Sequence, residues 1–333
     1  MFSGGALEPR HHKSEGKFIV SVQISEKAPE FNPQSIEVSP LTISTGAEIS
    51  GVDLTRPLPK EQIRDIRSAL LKWRVIFFRE QTMTHSQHIE FARQFGELTP
   101  GHAVYGSDSE YPEIYPISKN RSANHYREQV RHRPWTGWHC DITAAINPPM
   151  ASILRGDIVP PYGGDTQFTN LMAAYNALSP AIQAFVCGLR GIFRNGMADG
   201  ANVSKEYAEQ IKNRTLESEH PLVRVHPETG ERALYVAPTH LKNVVDLTPT
   251  ESAGILEMLW GHIVRPEFTV RFKWEPGSVA FWDNRSVSHL APKDIFASDF
   301  DRQFYRVTLV GDVPVGVDGK ESISVQGKPI LAV

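Results

Sequence analysis

Residues 138–149 read WHCDITAAINPP and place one imidazole and one carboxylate, His139 and Asp141, two positions apart. On an extended segment the side chains i and i+2 point to the same side, so both groups face a single point in space. A third group from elsewhere in the chain must come to that point if the pair is to hold anything. The pattern H-x-D occurs once in the sequence. Its nearest competitors are His88–Glu90, in a helical stretch where i and i+2 diverge, and His226–Glu228. The latter pair sits beside Pro227 in an expected hairpin turn, where it should be exposed. An H-x-D by itself is equally consistent with a satisfied polar pair, so the rest of the chain has to decide.

That chain has 333 residues, 40% of them hydrophobic and 22% charged, with a net charge of −3. This is enough apolar material for an ordinary buried core. No Lys/Arg block stands out, which leaves nucleic acid and anionic membrane without electrostatic support as partners. There is no apolar run of transmembrane length and no apolar signal-peptide core at the N-terminus. Two cysteines are too few for a disulfide framework. The expectation is a soluble cytoplasmic protein.

Residues 1–35 read as a mobile polar tail that contains His11 and His12, and 36–333 as one domain. LTISTGAEISGVDL (41–54) alternates like a strand pair. PKEQIRDIRSALLKW (59–73) sets Ile63, Ile66 and Leu70 on one helical face. VIFFRE (75–80) is a buried strand. THSQHIEFARQFGEL (84–98) opens with the capping-box pair Thr84 and Gln87. SPAIQAFVCGL (179–189) and TPTESAGILEMLWGHI (248–263) each begin with a capping hydroxyl followed by proline. Short strands are expected at 222–225, 233–236, in FTVRFKW and SVAFWD, and at 305–313. Many short strands with a few helices, and no glycine fingerprint after any strand, predict a mostly β chain with flanking helices around a double-stranded β-helix, or jelly-roll, core. Nucleotide-binding folds find no support.

Against that frame the third group has a candidate. VAFWDNRSVSHLA (279–291) supplies His289 at the end of a strand, YGGDTQFTN (162–170) a hydroxyl, and DRQFYRVTLVGD (301–312) two arginines four apart. Two histidines and one carboxylate with open positions beside them are the ligand set of non-haem Fe(II) oxygenases. The chain resembles the taurine dioxygenase and alkylsulfatase group of Fe(II)/2-oxoglutarate-dependent dioxygenases from about residue 38 to 315. The resemblance is carried by GAEISGVDL, VIFFREQ, HIEFARQFGEL, WHCDIT, YGGDT, HPLVRVHPETGER, WDNRSVSH and RQFYRVTLVGD.

The resemblance implies that His139, Asp141 and His289 are iron ligands and that Thr166 binds 2-oxoglutarate through its hydroxyl. It implies that Arg302 clamps the distal carboxylate of that co-substrate, a task that suits a planar guanidinium. Arg306 and His102 fall at the anion-binding end of the substrate pocket. Asp283 and Asn284 are expected as turn residues behind the ligands, with a carboxylate there fixing a ligand tautomer, and Cys140 should point away from the iron. The implied reaction consumes O2, decarboxylates 2-oxoglutarate to succinate and hydroxylates a substrate carbon. A carbon bearing sulfate, sulfonate or an aryloxy group would then collapse to a carbonyl compound and a released anion. A small-molecule, anionic substrate and a homo-oligomer are expected.

Three positions depart from the group. Ala144 stands where a phenylalanine is common, Trp135 and Gly137 replace polar sequence, and His240 replaces an aromatic residue. Ala144 frees room, so the substrate pocket, with Ile142 counted in its wall, should take something larger than taurine. The alternative on the same fold is a tailoring hydroxylase or desaturase of a larger metabolite. A basic insert at 119–134 is a candidate lid.

Overall fold

The computed structural model describes residues 31–119, 133–195, 209 and 213–333. Residues 1–30, with His11 and His12, and residues 120–132 of the candidate lid lie outside the described residues, so neither expectation meets the structure.

VIFF forms β3 (Val75–Phe78), and it is apolar at every position because it is covered on both faces. Ile76 and Phe78 enter one core, Val75 and Phe77 another. The strand β13 (Val279–Asp283) divides in the same way, Val279 and Phe281 to one side, Ala280 and Trp282 to the other. The two pair antiparallel with Val279 opposite Phe78. They lie inside a seven-stranded sheet, together with β1 (Glu37–Pro40), β2 (Ala47–Ser50), β5 (Ala151–Ile158), β15 (Gln303–Thr308) and β4 (Tyr115–Ser118). Its order is β1-β2-β3-β13-β5-β15-β4, antiparallel except between β2 and β3.

A three-stranded sheet, β12 (Thr269–Phe272), β6 (Thr166–Asn170) and β14 (Val287–Leu290), lies over one face, with β6 in the middle. Aromatic side chains fill the space between: Phe77 stacks on Phe272 at 3.9 Å between centroids, and Phe168 meets Trp282 at 5.5 Å. The opposite face is covered by α1 (Lys60–Trp73) and α2 (His85–Arg93), which bury Ile66, Leu70, Ile89 and Phe91 against Phe78, Ile153 and Phe281. Burial of each such side chain contributes about 2 kcal/mol. Two facing sheets with helices on one side make the mostly β jelly roll.

A third core lies beside these two. A four-stranded sheet, β11 (Leu241–Val244), β7 (Arg190–Arg194), β8 (Glu217–Pro221) and β16 (Ile323–Gln326), and a hairpin of β9 (Val223–Val225) with β10 (Arg232–Leu234), pack with three helices. These are α3 (Leu171–Asn176), α4 (Pro180–Cys187) and α5 (Pro249–Ile263). The expected caps are present: Thr84 with Gln87, Ser179 before Pro180, and Thr248 with Glu251.

Several strand boundaries differ from expectation, the first pair and the last jelly-roll strand most of all. The first strand pair is 37–40 with 47–50, and 41–46 is the connection, closed by Leu41 N–H to the Gly46 carbonyl at 2.9 Å, with Gly46 at φ +81°. The last strand of the jelly roll begins at Gln303 and ends at Thr308. Among the described residues no helix is long and apolar enough to cross a membrane.

Candidate active site

His139 meets His289 through a two-bond antiparallel bridge, His139 N–H to the His289 carbonyl at 3.0 Å and the reverse at 2.7 Å. The expected strand around H-x-D is thus a single bridge. The chain turns immediately afterwards, with Ala145 N–H on the Ile142 carbonyl at 3.0 Å. Ile142 takes φ +48° there, a strained conformation for a β-branched residue. The bridge and the turn bring one ligand atom each of His139, Asp141 and His289 within 4.8 Å of one another.

The tautomers suit a metal. The Nδ1 atom of His139 lies 2.9 Å from the Gly137 carbonyl, which only accepts, so a neutral ring carries its proton there and presents Nε2 bare. The buried Nδ1 of His289 has no hydrogen-bond partner, and its Nε2 faces Asp141 Oδ1 at 3.9 Å. Burial, then the neighbouring His139, holds His289 well below the usual imidazole range, hence neutral, which is the ligating form. Trp282 and Phe168 flank its ring at 4.8 and 6.1 Å.

Asp141 is fixed from behind. Ser152 Oγ donates to its Oδ2 at 2.5 Å, and Asn284 Nδ2 donates to Ser152 Oγ at 2.8 Å. Asn284 Oδ1 accepts from the Asp141 backbone at 3.3 Å and from Trp282 Nε1 at 2.9 Å. Arg306 donates to Asp141 Oδ1. Burial alone would raise the carboxyl pKa, but the Arg306 guanidinium, with the Ser152 hydrogen bond, outweighs it and holds the group below the carboxylate range. The donor set therefore fits a divalent transition metal: two imidazoles, one carboxylate and a second layer that orients them.

Two further polar side chains, Arg302 and Thr166, are also buried. Arg302 is buried, its Nε has no partner, and among the described residues no carboxylate stands within ion-pair distance. Burial pushes its guanidinium down to about 10, partly countered by Asp294. Gly164 at φ +67° lies against it, and a Cβ there would stand 3.3 Å from the Arg302 side chain. Thr166, two residues on, accepts from Trp274 Nε1 at 2.9 Å, which leaves its own O–H proton to donate. A buried cation beside a free hydroxyl proton fits the distal carboxylate of a dicarboxylate such as 2-oxoglutarate.

Around the third side, Arg306 and His102 both approach the ring of Tyr115, at 5.2 and 4.9 Å. His102 Nδ1 accepts from Val104 and Tyr105 N–H at 3.1 Å each, so a neutral ring carries its proton on Nε2. Arg306 keeps buried Nε and Nη2 atoms without partners. Ala144 is buried with Ile142 in one apolar cluster with Val104, Ala145, Leu216 and Ile330. The Nδ1 atom of His240 lies 2.9 Å from Thr143 Oγ1, and burial, then His139, pushes its ring down to about 3. Trp135 packs on Trp260 of α5 at 6.3 Å. Cys140 joins the third core, among Leu171 and Leu222.

His226 is a correction. It was expected exposed, but it is buried and its Nε2 lies 2.9 Å from Asp283 Oδ2. Arg285 clamps the same carboxylate at 2.7 Å and reaches Glu228 at 2.8 Å. Asp283 therefore serves an ion-pair network and fixes no ligand tautomer; the Gly137 carbonyl does that for His139. Ser152 carried no signal in the sequence, because a serine in an apolar strand is unremarkable until its neighbour across the sheet is known.

The model of the family described as "Taurine catabolism dioxygenase TauD, TfdA family" matches residues 37–308. The alpha-ketoglutarate-dependent sulfate ester dioxygenase of Pseudomonas putida is 35% identical over 299 residues, 86% of this chain and 93% of its own. The alkylsulfatase of Acinetobacter baylyi is 33% identical over 310 residues, 90% of this chain and 93% of its own. The crystal structure of a taurine dioxygenase from Burkholderia xenovorans is 57% identical, covers 88% of this chain and 97% of its own, and superposes with a TM-score of 0.78. The matched range spans both sheets of the jelly roll and takes in His139, Asp141 and His289, and this chain belongs to the taurine catabolism dioxygenase TauD, TfdA family of Fe(II)/2-oxoglutarate-dependent dioxygenases.

Proposed function

We propose that the enzyme oxidises the carbon next to the anionic group of a small organic anion, with an alkyl sulfate ester as the first choice and sulfonates and aryloxyalkanoates as the related classes. The observation that carries this reading is Arg306, a buried guanidinium with two unpartnered nitrogens, which lies over the Tyr115 ring that His102 also approaches. Burying an anion there requires such donors. Similarity to an alkylsulfatase and a sulfate ester dioxygenase supports sulfate as a head group, and similarity to a taurine dioxygenase supports sulfonate beside it.

His139, Asp141 and His289 would hold the iron, whose open positions supply O2 activation with 2-oxoglutarate as reductant. Arg302 and Thr166 bind the co-substrate's distal end, and Ser152 with Asn284 keeps Asp141 oriented. Trp282 and Phe168 keep water from the His289 side. Arg306 and His102 orient the substrate so that its reacting carbon lies at the metal face. A carbon hydroxylated beside a sulfate oxygen then breaks its C–O bond to sulfate, leaving an aldehyde or ketone and the inorganic anion. The free thiols Cys140 and Cys187 fit a reducing, cytoplasmic setting.

The test is succinate formation with Fe(II) and 2-oxoglutarate across alkyl sulfates, alkyl sulfonates, aryloxyacetates and neutral alcohols. Sulfates should give the highest coupled turnover. Arg306→Gln should weaken substrate use about 10-fold to 100-fold, the range for a charged hydrogen bond. A neutral best substrate whose turnover survives Arg306→Gln would sink the reading.

A further inference from the structure

The family match ends at residue 308, yet the chain beyond it is built into the wall of the loop that carries Asp141. That loop is held from β8. Ser218 and His220 are two apart and share one face. Ser218 Oγ donates to the Ala144 carbonyl at 2.9 Å, and His220 Nε2 lies 2.9 and 3.1 Å from the carbonyls of Thr143 and Ala145. The strand β16 pairs antiparallel with β8, Ile323 opposite Glu219, and Ser322 Oγ lies 2.6 Å from His220 Nδ1.

The chain then bends back at Gly327, φ +99°, where a Cβ would stand 2.5 Å from Leu216 Cδ2. The left-handed φ favours glycine there, and its lack of a Cβ spares Leu216 a shift. Two residues of the tail are pinned beyond the bend. Ile330 N–H donates to Asn147 Oδ1 and Asn147 Nδ2 donates to the Ile330 carbonyl, both at 2.8 Å. Val333 N–H donates to the Leu98 carbonyl at 3.0 Å. These bonds seat the Ile330 side chain, buried, in the apolar cluster of Val104, Ile142, Ala144 and Leu216. Val104 belongs to the loop folded onto His102, and Ile142 follows Asp141, so one cluster joins both sides of the substrate end.

We infer that Ile330 of the C-terminal segment determines specificity: it closes the apolar wall beside Asp141 and sets how long an organic tail the enzyme accepts. The inference rests on the reading that an anionic head lies at Arg306 and His102 with its tail along Ile142 and Ala144. Ala144 presents only a methyl group in this cluster, and Ile330 is its bulkier member from the C-terminal segment. Removal of most of the Ile330 side chain would open space for a substrate tail, each added methylene of which gains by burial.

The experiment uses the full chain with Fe(II) and 2-oxoglutarate, and linear alkyl sulfates from butyl to decyl. Ile330→Ala should raise the ratio of kcat/KM for decyl over butyl sulfate about tenfold, chiefly through a lower KM for the long substrate. Ile330→Phe should move the preference to shorter chains. Ile330→Val provides a milder change in the first direction should the alanine variant fail to fold. A merely structural role would lower kcat for all lengths alike and leave the profile unmoved. An unchanged profile in folded variants, with wild type active on the sulfates, overturns this inference alone. Wild-type inactivity on every anionic series removes the functional reading and this inference with it.

Discussion

At the scale of single residues, the structure distinguishes groups that touch the metal from groups that aim them. Asp141 offers Oδ1 on the side of His289, while Ser152 holds Oδ2 at 2.5 Å and is itself held by Asn284. Ser152→Ala removes the hydrogen bond that selects the oxygen, and should lower Fe(II) or Mn(II) affinity about 10-fold to 100-fold, as outer-shell changes do elsewhere. Titration of the metal-free protein measures this without turnover; wild-type affinity would show that Arg306 and the backbone suffice to position Asp141. Arg302 makes a second case. Arg302→Lys keeps the charge and loses the fork, and should raise the 2-oxoglutarate requirement about 10-fold to 100-fold. An unchanged requirement would assign the distal carboxylate to another residue.

At the scale of elements, the site depends on a bridge of two hydrogen bonds between His139 and His289 more than on any long strand. Gly137 makes that bridge possible. Its φ of +90° lies in the left-handed region, its carbonyl faces His139 Nδ1, and a Cβ on it would stand 2.9 Å from Leu290 Cδ1. Gly137→Ala should therefore cost about 1–2 kcal/mol from the backbone conformation and push the two ligand segments apart. Urea unfolding and metal titration should report both losses together. Unfolding that shifts while metal affinity stays constant would separate the bridge from the metal site. The helices are legible for a different reason: Thr84 with Gln87 and Thr248 with Glu251 are local capping contacts three residues apart, so nothing distant is needed to place them.

At the scale of the whole molecule, the jelly roll and the third core are tied by an ionic network that is buried at Asp283, His226 and Arg285 and reaches the surface at Arg67. Asp283 on β13 holds His226 and Arg285, Arg285 reaches Glu228 beyond β9, and Glu228 pairs with Arg67 on α1 at 2.8 Å. Burial would raise the Asp283 carboxyl pKa, but Arg285 and then His226 overcome it and hold the group well below the carboxylate range. A depressed folded pKa means that the stabilisation is fully present above the unfolded value, near pH 4, and is lost as pH falls below it. In metal-free protein, Asp283→Asn should be less stable at neutral pH and should lose stability less steeply below about pH 4. Parallel stability curves for the two proteins would show that other carboxylates carry the acid transition.

What the sequence determined by itself is whatever depends on near neighbours or on a motif of fixed spacing: the helix caps, the doubly buried VIFF strand, the uniqueness of His139-x-Asp141, and the family through its motifs. It placed His226 wrongly, because a turn beside proline looks exposed until Asp283 and Arg285 arrive from another sheet to pair with it. Ser152 and Ile330 were invisible for the same reason. Their partners lie 11 and more than 180 residues away in the chain, and a side chain's role across such a distance is set by strand register and by how a terminal segment folds back. Burial and hydrogen-bond satisfaction are properties of the packed chain. Only the tertiary structure could decide that Ile330 joins Ala144, more than 180 residues before it, in one apolar cluster.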